Sequence, residues 1–131
     1  MPKKIIGLVE KVKIIGNSEK ESLALIDTGA KLTSVDIKLA AETGIGPVTR
    51  ITKIKSASKD VGTRRPVLEA TIEIAGRRFN TEVNIQDRSH MTFPVLIGRN
   101  ILTGNFLVDA GKNREIFKQV AMKKKMLSEY E

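Results

Sequence analysis

The chain has 131 residues, which is enough for one domain with a single sizeable hydrophobic core. It contains no cysteine, which excludes both a disulfide framework and a thiolate metal site. Its 23 basic and 15 acidic residues leave a net charge of +8, which favours an acidic partner, although a solvated basic surface without a partner is an equal alternative. No apolar run approaches the roughly 20 residues of a membrane span, and the N-terminus has no signal-peptide core. A cytoplasmic protein without a membrane partner is therefore expected.

Short apolar stretches separated by turns dominate the chain. Residues 5–9 and 12–15 predict one bent strand or two short strands, and residues 23–26 return to complete a hairpin. Residues 36–43 have helical character, and Gly44 is placed to end that helix. A helical turn is expected at 100–103. Further strands are predicted at residues 48–55, 68–74, 79–85, 93–97 and 106–108.

The pattern changes at the C-terminal end of the chain. Asn113 is suited to cap a helix whose apolar residues share one face, and Lys123-Lys124-Lys125 adds a solvated basic patch. The sequence therefore predicts two parts. Residues 1–112 form a mostly-β closed barrel with one or two short helices, and residues 113–131 form a basic, helical C-terminal extension.

An acid, a hydroxyl residue and a glycine directly follow the predicted strand that ends at Ile26. A strand that ends on a carboxylate at a glycine turn presents that carboxylate on rigid scaffolding, as a catalytic acid or base requires. The tripeptide Asp27-Thr28-Gly29 alone is also typical of an ordinary polar turn. A second signal lies further along the chain, where residues 94–97 run into Gly98-Arg99-Asn100 and two apolar residues.

Together the two stretches resemble the retropepsin-like aspartic proteases, the single-domain, homodimeric relatives of pepsin. The signature is Asp-Thr-Gly-Ala after apolar residues, followed later by Ile-Gly-Arg-Asn-x-Leu. The chain is most similar to the prokaryotic group labelled ATP-dependent zinc proteases. The residues that carry this closer similarity are Lys31, Arg65-Pro66, Asp87-Arg88-Ser89 and Met91. The resemblance covers about residues 20 to 110 and implies the retropepsin β-barrel.

A pepsin-type site needs two carboxylates that share one proton, because like charges about 3 Å apart cannot both ionise. This chain has one Asp-Thr-Gly and supplies half of such a site. The resemblance implies that Asp27 meets its own copy across the two-fold axis of a homodimer. It also implies that Thr28 hydrogen-bonds across that axis, and that Gly29 allows close backbone approach and offers its carbonyl to substrate. Asp27, Thr28 and Gly29 are the predicted catalytic residues.

The resemblance also implies a substrate cleft around this loop. Residues 56–63 fall where a retropepsin carries its mobile flap, although their composition fits an ordinary exposed turn equally well. Lys31 stands where retroviral relatives have an acid that pairs with the Gly-Arg arginine, so Asp87 or Asp109 is the expected partner of Arg99. The predicted substrate-binding residues are Ala30, Lys31, Lys59, Asp60, Val61, Gly62, Ile97 and Arg99.

The leading interpretation is a homodimeric aspartic endopeptidase acting on acidic, glutamate-rich peptides or proteins. Removal of oligoglutamate tails is associated with some relatives of the prokaryotic group, and basic residues lie near the predicted cleft. A catalytically silent retropepsin-fold module that dimerises and binds peptides or proteins is the alternative. A nucleic-acid binder is the weaker third interpretation, because only four Phe and one Tyr are available to stack on bases. One histidine and no phosphate-binding loop support neither zinc nor ATP, so no metal and no cofactor is expected.

Overall fold

The structure, a computed structural model, describes residues 2–54 and 63–129. Within these residues the chain forms nine strands and three helices. The strands are β1 Lys4–Ile6, β2 Val9–Ile15, β3 Glu19–Ile26, β4 Thr33–Asp36, β5 Val48–Ile54, β6 Thr63–Ile74, β7 Arg77–Gln86, β8 Val95–Ile97 and β9 Phe106–Val108. The helices are α1 Ile37–Thr43, α2 Arg99–Leu102 and α3 Arg114–Glu129.

Six of the strands close into a barrel in the order β2–β3–β8–β4–β7–β6, with β6 pairing back to β2. β5 lies outside this ring and pairs antiparallel with β6. Most neighbours are antiparallel, but β8 runs parallel to β3 and β4 runs parallel to β7. Closure pairs both edges of the sheet and leaves one enclosed apolar interior. The predicted mostly-β closed barrel with short helices is confirmed.

Alternation of apolar and polar residues explains the longest hairpin of the barrel. Along β6 the apolar residues Ile72 and Ile74 are fully buried, while Glu73 between them is only partly covered. Ala75 and Gly76 form the two-residue turn to β7, with φ of 52° and 76°. Such a turn twists in the same sense as the two strands it joins, which fixes their register.

Two short helices cover the barrel. Asp36 caps α1 by accepting a hydrogen bond from the backbone N–H of Lys38 at 3.1 Å, and Gly44 ends the helix with φ of 66°. Leu39 and Ala40 of α1 are buried in the core cluster. Ile101 and Leu102 of α2 are also buried there. The predicted helix boundaries at Asp36 and Gly44 agree with the structure.

The first and last strands of the described residues pair outside the barrel. β1 pairs in parallel with β9, so residues 5–15 form two strands rather than one bent strand. Arg77 ties this pair down, since its guanidinium donates to the carbonyls of Pro2 at 2.6 Å and Asn105 at 3.3 Å. It also lies 6.0 Å from the centre of the Phe106 ring.

The predicted C-terminal helix is present as α3. Asn113 precedes it with φ of 61°, and its side-chain amide donates to the carbonyl of Val9 at 3.0 Å, which anchors the start of the helix to β2. The division into a barrel at 1–112 and an extension at 113–131 stays a prediction. No helix within the described residues has the length and apolar character needed to cross a membrane.

Candidate active site

Asp27 lies directly after the last residue of β3 and begins a tight loop. Its backbone N–H donates to the carbonyl of Ile97 at 2.9 Å, which fixes the loop to the end of β8. The carboxylate accepts a hydrogen bond from the N–H of Gly29 at 2.9 Å. Asp27 is half-buried, whereas Thr28 and Gly29 are exposed. The loop therefore presents a carboxylate of fixed orientation at the surface of the barrel.

The second sequence motif, the brace Gly98-Arg99-Asn100, supports this loop through backbone hydrogen bonds. The N–H of Arg99 donates to the carbonyl of Ala30 at 2.8 Å, and the N–H of Asn100 donates to the carbonyl of Lys31 at 3.2 Å. A Cβ on Gly98 would lie 2.7 Å from the carbonyl carbon of Leu32, so only glycine lets the two backbones approach this closely. The two motifs that identify the site in the sequence are thus in direct contact.

A hydrogen-bond network between the exposed Asn100 and the buried Thr33 links the brace to the barrel wall. The side-chain oxygen of Asn100 accepts from the N–H of Thr33 at 2.9 Å and from its hydroxyl at 2.8 Å. The amide nitrogen of Asn100 donates to the Thr81 hydroxyl at 2.9 Å and to the Glu82 carbonyl at 2.8 Å. The Thr33 hydroxyl in turn accepts from the N–H of Gly98 at 3.0 Å. The sequence marked Asn100 as part of the second motif but gave it no role, and Thr33 carried no signal beyond a polar residue next to apolar ones.

Arg99 has a different partner from the predicted one. Its guanidinium donates to the backbone carbonyl of Thr28 at 3.1 Å, and it makes no ion pair with a carboxylate among the described residues. Asp87 accepts instead from the N–H of Ser89, and Asp109 accepts from the N–H of Gly111, both at 2.9 Å. Each carboxylate is thus satisfied within its own turn. The prediction that Asp87 or Asp109 pairs with Arg99 is wrong.

The predicted substrate-binding residues divide into two groups. Ala30, Lys31 and Arg99 lie around the Asp27 loop, whereas the Ile97 side chain is fully buried and its carbonyl accepts from the N–H of Asp27. Lys59, Asp60, Val61 and Gly62 lie outside the described residues. Their assignment to a flap stays a prediction.

Arg88 is a charged residue in the interior, only 5% exposed. Its Nε donates to the carbonyl of Phe93 at 2.9 Å, and its backbone N–H donates to the Asp36 carboxylate at 2.8 Å. Burial lowers the pKa of Arg88, and the nearby positive charge of Arg65 lowers it further, whereas Asp36 and Asp27 raise it. The sequence marked Asp87-Arg88-Ser89 only as a stretch that carries the resemblance, and residues 87–92 form a loop between β7 and β8. The structure shows that Arg88 anchors that loop to the segment leading into β8.

Several large cavities open on the described part of the chain, and one of about 480 Å³ lies at the turns around Gly76 and Gly104, away from the Asp27 loop. One of about 440 Å³ lies directly beside the Asp27 loop and is lined by Ala30 and Lys31. A larger one of about 660 Å³ is lined by the turns at Gly16 and Gly44 and contains no residue of that loop. Position relative to the carboxylate, rather than size, makes the cavity beside the loop the candidate substrate cleft.

The described residues offer no metal centre at this site. Across residues 2–54 and 63–129, no three His, Cys, Asp or Glu side chains are grouped closely enough to hold a metal ion. His90 is exposed in the loop after β7. The zinc and the ATP in the label of the prokaryotic group stay untested.

Solved structures with this fold include retroviral proteases. The EIAV protease in complex with the inhibitor HBY-793 matches with a TM-score of 0.59 and 23% identity, over 77% of this chain and 91% of that chain. The simian foamy virus (mac) protease matches with a TM-score of 0.53 and 18% identity, over 70% and 88%. A protein of unknown function from Legionella pneumophila matches with a TM-score of 0.59 and 24% identity, over 84% and 95%. At these identities the likeness establishes the fold alone.

Sequence comparison identifies the family. No curated protein matches the chain. A family model named RimB-like, described as retropepsin-like aspartic endopeptidase RimB, matches residues 35–119. The match begins after the Asp27 loop and includes both the Asp87-Arg88-Ser89 stretch and the Gly98-Arg99-Asn100 brace. Because it spans more than half of the sequence and agrees with the barrel described above, this chain belongs to the RimB-like family of retropepsin-like aspartic endopeptidases.

Proposed function

We propose that the protein is a homodimeric aspartic endopeptidase in which Asp27 from each of two chains forms the catalytic dyad. The observation that carries this proposal is the braced Asp27 loop, which holds a carboxylate at the barrel surface through the N–H of Gly29. Catalytic groups need such fixed placement, because small displacements of a reacting group cost large factors in rate.

The chemistry needs a second carboxylate. The sequence contains a single Asp-Thr-Gly, so the second aspartate comes from another copy of the chain. Two carboxylates at about 3 Å share one proton, so that one activates water as a base while the other protonates the peptide as an acid. Thr28 is exposed at the tip of the loop, as contact with the symmetry copy requires. Gly29 is exposed as well, and its carbonyl is the proposed acceptor for substrate.

Acidic peptides or proteins are the proposed substrates. Lys31 is exposed four residues after Asp27, on the rim of the candidate cleft. The net charge of +8 adds a favourable field for an acidic chain approaching that rim. A positive rim favours binding and the rate of encounter, and salt weakens both effects by screening.

The substitution Asp27→Asn tests the proposed dyad. The amide cannot serve as base or share a proton, so hydrolysis in a peptide-library digest should fall by about 10³-fold or more. Asp109→Asn is the matched control, because Asp109 only closes its own turn with Gly111. Cleavage by a folded Asp27→Asn protein at a rate near that of the parent would contradict the aspartic mechanism.

A mixing experiment tests whether the dyad is shared. When wild type is allowed to exchange with excess Asp27→Asn protein, activity per wild-type chain should fall, because mixed dimers carry one functional aspartate. Asp109→Asn protein added in the same excess should leave the activity unchanged. Activity from a strict monomer in sedimentation would overturn the shared site. Peptide binding without any cleavage would instead support the catalytically silent module.

A further inference from the structure

Arg88 is the only charged residue that is buried among the described residues, with 5% of its surface exposed. It forms no ion pair within the part of the chain that the structure describes. A cation held in this way costs free energy, because it has been removed from water. The hydrogen bond from its Nε to the carbonyl of Phe93 needs only a neutral donor. The positive charge itself therefore requires an explanation.

The backbone around Arg88 is tied to the strand that holds the Asp27 loop. The N–H of Arg88 donates to the carboxylate of Asp36 at 2.8 Å, and the N–H of Asp36 donates to the carbonyl of Pro94 at 2.9 Å. β8 begins at the next residue, and the carbonyl of Ile97 at its other end accepts from the N–H of Asp27 at 2.9 Å. Arg88 is thus joined to the start of the strand whose end fixes the candidate catalytic carboxylate.

The charges that act on Arg88 show which groups its guanidinium faces. Burial lowers the pKa of Arg88 most, and the positive charge of Arg65 on β6 lowers it further. Asp36 on β4 and Asp27 after β3 raise it. The interaction between two charges is mutual, so a carboxylate that stabilises the charge of Arg88 is itself stabilised as an anion.

The other cations around the Asp27 loop are more exposed than Arg88. The guanidinium of Arg99 donates to the carbonyl of Thr28 at 3.1 Å, and Arg99 is exposed. The cavity beside the loop is lined by four further basic side chains, Lys31, Arg50, Lys53 and Arg65. Of these, only Arg65 is partly buried. Water and salt screen exposed charges strongly and buried charges much less. Arg88 is therefore the cation whose effect on Asp27 is screened least.

We infer that Arg88 is a positioning residue of the catalytic dyad, whose side chain fixes the segment leading into β8 and whose buried charge favours the ionised form of Asp27. Its effect on the rate of hydrolysis rests on the proposed endopeptidase function, whereas its effect on the Asp27 carboxyl group does not. A working dyad holds one proton and one negative charge. A positive charge behind the dyad favours loss of protons, so it moves the pH range of this working state downward.

The pH dependence of kcat on a peptide found in the library digest tests this role. Arg88→Gln and Arg88→Met remove the charge, and both limbs of the bell-shaped profile should move to higher pH by at least about 0.5 pH unit. Arg88→Lys keeps the charge and should leave both limbs in place. Lys11→Gln removes an equal charge from an exposed position on β2 and should also leave them in place. The position of the limbs does not depend on how much of a variant is folded, so a loss of stability alone cannot imitate the shift.

Carbon-13 NMR of the Asp27 side-chain carboxyl group measures the same effect without hydrolysis. The signal is assigned by its loss in the Asp27→Asn protein. It should titrate at higher pH in Arg88→Gln and Arg88→Met than in the parent, and at the pH of the parent in Arg88→Lys. Titration at one pH in all of these proteins would overturn the inference. An equal shift in Arg88→Lys would overturn it as well, because loss of the Arg88 hydrogen bonds rather than of its charge would then explain the change.

The two measurements together separate this inference from the proposed function. A shifted Asp27 signal in a protein that hydrolyses no peptide would refute the endopeptidase while the role of the Arg88 charge stands. An unmoved signal and unmoved limbs in a protein that hydrolyses peptides would refute that role while the endopeptidase stands.

Discussion

The two walls of the cleft are built in opposite ways. On the Asp27 side, backbone groups hold the Asp27 loop, with Ile97 and Arg99 each contributing a main-chain hydrogen bond below 3.0 Å. On the β5–β6 side, charged side chains such as Lys53 and Arg65 project with no ion partner among the described residues. The first wall is held by several backbone hydrogen bonds. The second wall carries charged side chains without ion partners among the described residues.

Under the proposed function, this difference assigns the first wall to fixing geometry and the second wall to contact with substrate. A reacting carboxylate must be placed within fractions of an ångström, and backbone contacts supply that precision. Side chains that recognise a substrate need not support the fold, since their partners arrive with the ligand. Substitutions in the first wall should therefore lower stability, and substitutions in the second wall should leave it almost unchanged.

Gly98→Ala should produce the largest loss of stability. Gly98 has an extended backbone conformation that any residue can adopt, so only steric overlap disfavours a side chain at this position. The new Cβ would lie 2.7 and 2.9 Å from the carbonyl group of Leu32, which is backbone and cannot rotate away. We expect a loss of about 3 kcal/mol in the free energy of unfolding, measured with urea.

Gly104→Ala is the matched control for that clash. Gly104 has φ of 81°, but a methyl group added there would meet no atom within 4 Å, so only backbone conformation opposes the change. The expected cost is about 1 kcal/mol. Equal losses for the two alanine variants would contradict the close approach between the second motif and Leu32.

Asn100→Ala should have the next largest effect. The change removes the shared acceptor of Thr33 and both donors to β7. Because the change leaves buried hydrogen-bonding groups without partners, we expect the free energy of unfolding to fall by about 2–3 kcal/mol. Asn80→Ala is the control, because Asn80 is exposed like Asn100 but accepts a single side-chain bond, from Thr71 at 2.6 Å. A loss no larger than that of the control would show that the network is dispensable.

Local patterns in the sequence predicted most of the fold. Alternating apolar residues identified the β6–β7 hairpin, and the helical character of residues 36–43 with the stop at Gly44 identified α1, because these signals act between near neighbours in the chain. Closure of the barrel was predicted from the repeated short strands, and the resemblance specified the retropepsin barrel. Parallel pairing of β1 with β9 joins the two ends of the barrel sequence, and nothing near either strand indicates it.

The parts of the candidate site that lie in a sequence motif were predictable, and the contacts between distant strands were not. The Asp27 loop and the Gly98 brace are short, contiguous signals. The Asn100–Thr33 contact and the meeting of Arg50, Lys53 and Arg65 with the loop depend on how distant strands cross, which one sequence does not encode locally. The same limit explains why a carboxylate was expected for Arg99 when a carbonyl of the loop was closer.

Arg65→Gln should test the second wall with a much smaller effect. Arg65 has no ion partner among the described residues, and its charge opposes that of buried Arg88. Removing it should leave the free energy of unfolding within about 0.5 kcal/mol, or raise it slightly by relieving that repulsion. Urea unfolding beside the parent protein measures the change. A loss comparable to that of Asn100→Ala would erase the distinction between the two walls.

Acid titration gives the smallest expected effect and concerns Glu82, which belongs to both walls. Its carbonyl accepts from Asn100, while its carboxylate accepts from the Thr49 hydroxyl at 2.7 Å and from Arg50. The Thr49 hydrogen bond, followed by that of Arg50, lowers the pKa of Glu82. A carboxyl pKa that is lowered in the folded protein stabilises the fold at pH values above the unfolded-state pKa. This contribution is lost as the pH falls through the folded-state pKa.

The melting temperature of the parent should therefore exceed that of Glu82→Gln at about pH 6, and the gap should close below roughly pH 4. Glu21→Gln, on the exposed part of β3, is the control and should show no such closing gap. A gap that stays constant across this range would mean that the carboxylate adds nothing to the wall, and that the backbone carbonyl alone joins Glu82 to the braced side of the cleft.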